Sequence, residues 1–176
     1  RSVDRALAYL ERGDWDIAEK YTNRGKVIVK RINHIYNKSF FEIISGRIHF
    51  ARGKLDKTIE ILTSVEEECK QNDLEQQQFA RICLARIYLK EGRLQEAEKF
   101  AKEVNDKVMS YEYKHPYYAM MSLRLLGQIS QKKKEFEKAK EYLSKSLKIA
   151  KTNKNQIQEG FTSFAFVEFY MALTQF

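Results

Sequence analysis

The chain has a single proline, Pro116, and only seven glycines in 176 residues. Proline and glycine are the residues that interrupt helices most strongly, so a chain this poor in both can be helical almost throughout. Long loops and disordered tracts are excluded by the same scarcity. Two cysteines, Cys69 and Cys83, cannot build a disulfide framework and lack the spacing of a metal site. They are expected as reduced thiols of a cytoplasmic protein. The most apolar tract, residues 161–176, is broken by Thr162, Ser163, Glu168 and Gln175 and is too short to span a bilayer, so no membrane segment is expected. The three histidines, His34, His49 and His115, are scattered. No nucleophile motif, phosphate loop or metal-ligand spacing accompanies them, and Glu66-Glu67-Glu68 reads as helix-surface charge. A non-enzyme without cofactor or metal is expected. There is no initiator Met and no signal peptide, which suggests a fragment of a longer chain.

What is present is enough apolar content, 43%, to fill the core of one domain, with 32% charged residues to solvate long helices. Thirty-two Lys and Arg against 24 Asp and Glu leave a net charge of +8, which favours an acidic partner. Much of the excess lies in residues 131–154, with nine Lys and three Glu. Aromatic residues there sit at core spacing and do not alternate with the lysines as a base-stacking platform would. A solvated helix face is the better reading, and direct nucleic-acid binding is not expected.

A recurring stretch organises the chain. Residues 88–97, Tyr-Leu-Lys-Glu-Gly-Arg-Leu-Gln-Glu-Ala, read as a helix end, a turn on Gly92, and a new helix opening with an apolar and then a small residue. The same order appears at Gly13 with Ala18, at Gly53 with Thr58, and at Lys134 with Ala139. Positions 13, 53, 92 and 134 are 40, 39 and 42 residues apart. A second ladder of small residues lies seven positions before each turn, at Ala6, Gly46, Ala85 and Gly127, and Ala165 extends it. Helices cross closely only where bulky side chains are absent, so two ladders in one register mark successive helix pairs. A fixed period with one helix pair per unit is a stacked helical repeat.

In chain order, a short helix carrying Val3, Ala6, Leu7 and Leu10 ends at Gly13, and Asp14 suits the N-cap of the next. Trp15, Ala18, Tyr21 and Val29 share one face of that second helix. Gly25 in its middle is either a weak spot or a point of close packing, and the sequence does not choose. Ile43, Ile44 and Ile48 dominate the next helix, followed by Leu55, Ile59, Leu62 and Val65. Asp73 and Gln76 have capping-box spacing ahead of the third unit. Pro116 opens the fourth, at the first helical turn where proline is welcome.

These elements resemble the tetratricopeptide repeat (TPR) family: the small residue, an aromatic three later (Tyr9 and Tyr88, with His49 and Ser130 as substitutes), the turn glycine, and the small residue five beyond it. The likeness covers four units, about 2–32, 38–71, 73–110 and 116–152, with a terminal helix at 155–176. The family's proline after the second helix is missing and Lys134 replaces a turn glycine. The period resembles that of the long-repeat members, such as kinesin light chains and bacterial peptide-sensing regulators. The resemblance implies an all-α, right-handed superhelix of antiparallel helix pairs, a TPR-like α-solenoid.

It also implies that the first helices line a concave groove holding a peptide or partner segment of another protein, an acidic one given the charge. Carried onto this chain, the groove residues are Phe40, Ile43, Arg47 and Phe50, then Phe79, Ile82, Arg86 and Lys90, then Met121, Arg124 and Gln128. Arg47 and Arg86 occupy equivalent places and Arg124 lies one turn away in the next unit. Stacked guanidinium groups can fork onto carboxylates; alternatively these arginines are solvated or pair with Glu42, Glu75 or Glu91. The family's asparagine-based clamp for a peptide terminus is not found. The last helix is apolar on nearly every side, with Phe161, Phe164, Phe166, Phe169, Tyr170 and Phe176. Such a helix expects burial all round, so Phe166, Phe169, Tyr170 and Phe176 are expected at an interface with further chain or a second copy. The expected function is a protein–protein interaction module; the alternative is a ligand-sensing domain of a bacterial transcription regulator.

Overall fold

The structure is a computed structural model that describes residues 2–32, 35–70, 74–110 and 114–174. Nine α-helices account for nearly all of these residues, and no strand occurs among them: α1 (Ser2–Arg12), α2 (Trp15–Ile32), α3 (Ile35–Ala51), α4 (Leu55–Glu68), α5 (Leu74–Lys90), α6 (Leu94–Met109), α7 (Pro116–Lys132), α8 (Phe136–Thr152) and α9 (Gln156–Leu173). The proposed capping residue Asp73 and the interface residue Phe176 lie outside the described residues. Contacts gather into two compact units, Arg1–Cys83 and Leu84–Phe176, and the division falls within α5.

The recurring turn is one piece of backbone chemistry repeated. Gly13, Gly53 and Gly92 have φ of 82°, 73° and 74°, and Lys134 adopts the same left-handed conformation at 62°. At each, two hydrogen bonds close the preceding helix. Gly53 N–H donates to Phe50 O (3.0 Å) and Lys54 N–H to His49 O (2.9 Å); Lys134 N–H donates to Gln131 O (2.9 Å) and Glu135 N–H to Ser130 O (2.9 Å). Gly13–Asp14 and Gly92–Arg93 make the equivalent pairs. This is the Schellman arrangement, which satisfies carbonyls that the helix end would otherwise leave open. Because the turn closes through backbone, the N-cap side chains matter little: Lys54, Arg93 and Glu135 make no capping bond. A fifth copy, unforeseen because no small residues flank it at the ladder spacing, ends α8: Lys154 has φ 52°, and Asn155 N–H donates to Ala150 O at 2.9 Å.

In the first unit, α1 packs on α2 and α3, and α3 packs on α2 and α4. Ala6, Leu10, Ala18, Val29, Phe41, Ile44 and Ile48 form its core. Gly25 is a point of close packing, since a Cβ placed there would lie 2.1 Å from Phe41 Cζ. Trp15, expected on the buried face, is 39% exposed. Arg52 reaches from the end of α3 to Asp16 (2.5 Å) and Glu19 (2.8 Å) at the start of α2. Glu66 of α4 is held by Arg81 of α5 at 2.6 Å.

In the second unit, α7 packs on α6, α8 and α9, and α8 packs on α9. The small residues Ala97 and Ala139 are fully buried, as the ladder predicts, and so is Ala101 one turn beyond Ala97. Gly127 lies against Leu143, where a Cβ would come within 2.7 Å of Cγ. The aromatic of the repeat stacks across each hairpin that keeps it: Tyr9 on Tyr21 (5.6 Å) in the first unit, Tyr88 on Phe100 (5.8 Å) in the second. Both pairs span twelve residues, so the same contact recurs.

Candidate interaction surface

Helix propensity and the Schellman turns set where each first helix begins and ends, and burial of one face decides which side chains remain outside. In the first unit, Phe40, Arg47, Phe50 and Phe79 are half-buried. Phe40 and Phe79 approach ring to ring at 6.0 Å. Ile43 and Ile82, expected at the surface, are fully buried. The reason is that α3 and α5 bury more than one face, so their β-branched residues go to the core. Of the three expected glutamate partners, Glu42 is occupied by Lys26 at 2.6 Å.

In the second unit Arg86 and Lys90 are exposed and Gln128 is half-buried, whereas Met121 is buried. The structure singles out Arg124. It projects from α7, whose opposite sides carry the buried Leu123, Leu126 and Ile129. Its Nη1 donates to Oε1 of Gln158 on α9 at 2.7 Å, and its guanidinium lies 5.3 Å from the ring centroid of Phe161. Burial pushes its pKa down to about 10; the positive charge of Arg86 adds to the fall and Tyr117 opposes it.

Gln158 is itself fixed from behind. Its backbone N–H donates to Asn155 Oδ1 (3.1 Å), the N-cap of α9, and its carbonyl accepts from Thr162 Oγ1 (2.9 Å). Thr162 Oγ1 lies 3.0 Å from Ser146 Oγ, which donates to Met120 O of α7 at 2.9 Å. All of these hydroxyls are buried, so the polar ladder locks α9 onto α7 and α8 and holds the Arg124 partner in place. Gln158 and Phe161 were not among the sequence-derived site residues. Only the Asn155–Gln158 cap spacing was readable; the Arg124–Gln158 contact joins positions 34 apart.

Of the expected interface residues of α9, Phe169 is buried and packs with Ala139, Leu143 and Ala165. Phe166 packs half-buried against that cluster, and Tyr170 is 52% exposed. Gln158, Thr162, Ala165 and Phe169 form the single buried face, leaving Phe161, Phe164 and Met171 exposed. Within the lysine-rich segment, Lys133 reaches Glu98, which Lys102 of α6 also reaches, Lys138 reaches Glu135, Lys145 reaches Glu141, and Lys151 lies 4.0 Å from Glu159. Among the described residues no helix is long and apolar enough to cross a membrane, and no group of three His, Cys, Asp or Glu is placed to hold a metal ion.

Residues 125–153, the second half of α7 with the turn and α8, match the family model described as tetratricopeptide repeat. Among curated proteins none matches the chain. Solved structures do. The nearly identical TPR-like repeats of a Podosopora anserina protein assigned as a kinesin light chain superpose with a TM-score of 0.69 at 18% identity, over 99% of this chain and 86% of that one. BtubC (BKLC) from P. vanneervenii gives 0.66 at 15%, over 96% and 73%. A Signal Transduction ATPase with Numerous Domains from Pyrococcus horikoshii, which has a tetratricopeptide repeat sensor, gives 0.71 at 20%, over 92% of this chain and a quarter of that protein. The repeated turns, the two small-residue ladders and these neighbours agree: the chain folds as an all-α, tetratricopeptide-like solenoid.

Proposed function

We propose that the chain is a protein-interaction module of long-period repeats that binds a peptide or partner segment, acidic in character, in the groove lined by its first helices. The observation that carries this reading is the division of labour on α5 and α7. Their aliphatic residues are buried, while Arg86 and Lys90 stay exposed and Arg124 and Gln128 stay half-buried. A solenoid does no chemistry by itself and works through such surfaces. The net charge of +8 would speed encounter with an acidic partner.

The test is a pull-down on the immobilised chain, comparing wild type with an Arg47→Glu, Arg86→Glu, Arg124→Glu variant shown to be folded by circular dichroism. Partners lost only from the variant support recognition by the first helices. Identical partner sets refute it and turn attention to the lysines of α8 or the apolar face of α9. A second reading, a sensor domain of a larger signalling or transcription-regulating protein, is favoured by the likeness to the Pyrococcus horikoshii sensor repeats. It predicts that the full-length chain carries a nucleotide- or DNA-binding domain whose activity responds to a ligand of these repeats.

A further inference from the structure

We propose that the chain self-associates through α9, two copies packing their exposed apolar strips antiparallel about a two-fold axis at Phe164. One stripe of α9, formed by Gln158, Thr162, Ala165 and Phe169, is buried. A second stripe points away from it: Ile157, Phe161, Phe164, Val167 and Met171 are each between 54% and 71% exposed. With Glu168 among them, positions 157, 161, 164, 168 and 171 follow at alternating intervals of four and three. That spacing keeps one seam of a helix turned toward a partner helix. The helix is already formed and anchored, so pairing does not have to order it first.

The size and the charge of the strip both fit a second copy. At about 150–200 Å² for a large apolar side chain, the five leave about 500 Å² open in one patch, near the upper end for a monomer at about 300–600 Å². Face to face, two strips would remove about 1,000 Å² of apolar surface, and the polar atoms at their margins would carry the total into the range of a specific dimer, about 1,200 Å² and more. Glu168 sets the direction. In a parallel pair it would face its own copy, placing two carboxylates together in an apolar seam, which is costly. An antiparallel pair centred on Phe164 instead sets Phe161 on Val167, Ile157 on Met171 and Glu168 on Gly160. A two-fold axis keeps like edges of the two strips together. Glu168 lies seven residues from Phe161, on the same edge, and that edge carries Arg124, whose guanidinium is 5.3 Å from the Phe161 ring centroid. Glu168 of the second copy therefore arrives beside Arg124. Within one chain Arg124 donates to the neutral amide of Gln158, and neither Arg124 nor Glu168 makes an ion pair among the described residues. Pairing would give each its counter-charge, once at either end of the seam.

The experiment measures the mass of the 20.9 kDa chain by sedimentation equilibrium between about 1 and 100 µM, a range that captures even a weak interface of this size. The expected result is a rise with concentration toward twice that mass. Phe164→Glu, which sets like charges against each other on the axis, should stay monomeric; the residue is exposed, so circular dichroism should show the fold unchanged. Glu168→Arg should weaken association about tenfold by meeting Arg124 with a like charge, and adding Arg124→Glu should recover most of the loss. Oxidation of cysteine variants reads the register, because the native Cys69 and Cys83 are buried. Phe164→Cys should give a disulfide-linked dimer. Phe161→Cys should not, since its two copies would stand about 9 Å apart along the helix axis. A chain still monomeric at the highest concentration would overturn the proposal and leave the strip to a further segment of a longer chain or to a different protein. A dimer indifferent to Phe164→Glu or to Glu168→Arg, or one cross-linked through Phe161→Cys and not through Phe164→Cys, would overturn it as well.

Discussion

Gly25 gives the sharpest test of how the first unit is packed. A Cβ added there would stand 2.1, 2.3 and 2.7 Å from three ring carbons of Phe41, whereas carbon atoms in contact sit about 3.5–4.0 Å apart. The ring cannot simply retreat. Phe41 is 3% exposed and enclosed by Ala18, Val29, Ile44 and Ile48. Overpacking of this kind costs about 1–3 kcal/mol, and the severity of the overlap points to the upper end. Alanine recovers about 1 kcal/mol of helix propensity. Gly25→Ala should therefore lose about 2 kcal/mol net, lowering Tm by about 4–8 °C in a chain of this length. Gly160 is the control. It is also mid-helix, but nothing lies within 4 Å of its added Cβ, so Gly160→Ala should gain about 0.5–1 kcal/mol. Urea unfolding followed by far-UV circular dichroism compares the two. Phe41→Leu in the Gly25→Ala background should cost less than the two changes added separately, because it vacates the crowded space. A Gly25→Ala variant as stable as wild type would refute the packing argument outright.

Two further outcomes follow from the turns and from a half-buried histidine. Lys134 holds a left-handed conformation that three glycines hold elsewhere, so Lys134→Gly should stabilise by about 0.5–1 kcal/mol in the same unfolding assay. His49 has its pKa lowered, first by burial and then by Lys54, and its Nδ1 is buried with no partner among the described residues. Its neutral form is the one the fold favours. The stability this contributes is whole above the unfolded pKa of about 6.5 and is lost as pH falls below it toward the depressed folded value. Urea midpoints measured between about pH 5 and pH 8 should fall on the acid side for wild type and flatten in His49→Gln.

The repeat itself was legible because it is written in local chemistry. A left-handed residue closing each helix, a small residue at each crossing and apolar positions at helical spacing are properties of single segments. Positions 13, 53, 92 and 134 indeed carry the same turn, Lys134 included, because two backbone hydrogen bonds suffice to close it. The turn at Lys154 escaped notice because it lacks the flanking small residues that mark Lys134: Leu147 lies seven positions before it and Glu159 five after.

What the sequence by itself determined is the helical class, the number of helix pairs and the places where they cross, since these follow from periodicity and backbone preference. Tertiary structure alone decided which side chains those helices leave outside. Ile43, Met121 and Phe169 share helical faces with surface residues, and only the neighbouring helices assign them to the core. Gly25 could be read either way until the Phe41 ring lay across it. Arg124, one turn off the equivalent places of Arg47 and Arg86, was not distinguished from them until Gln158 and Phe161, distant in sequence, closed around it. Long-range packing sets desolvation, and desolvation makes one of several similar residues a candidate for recognition.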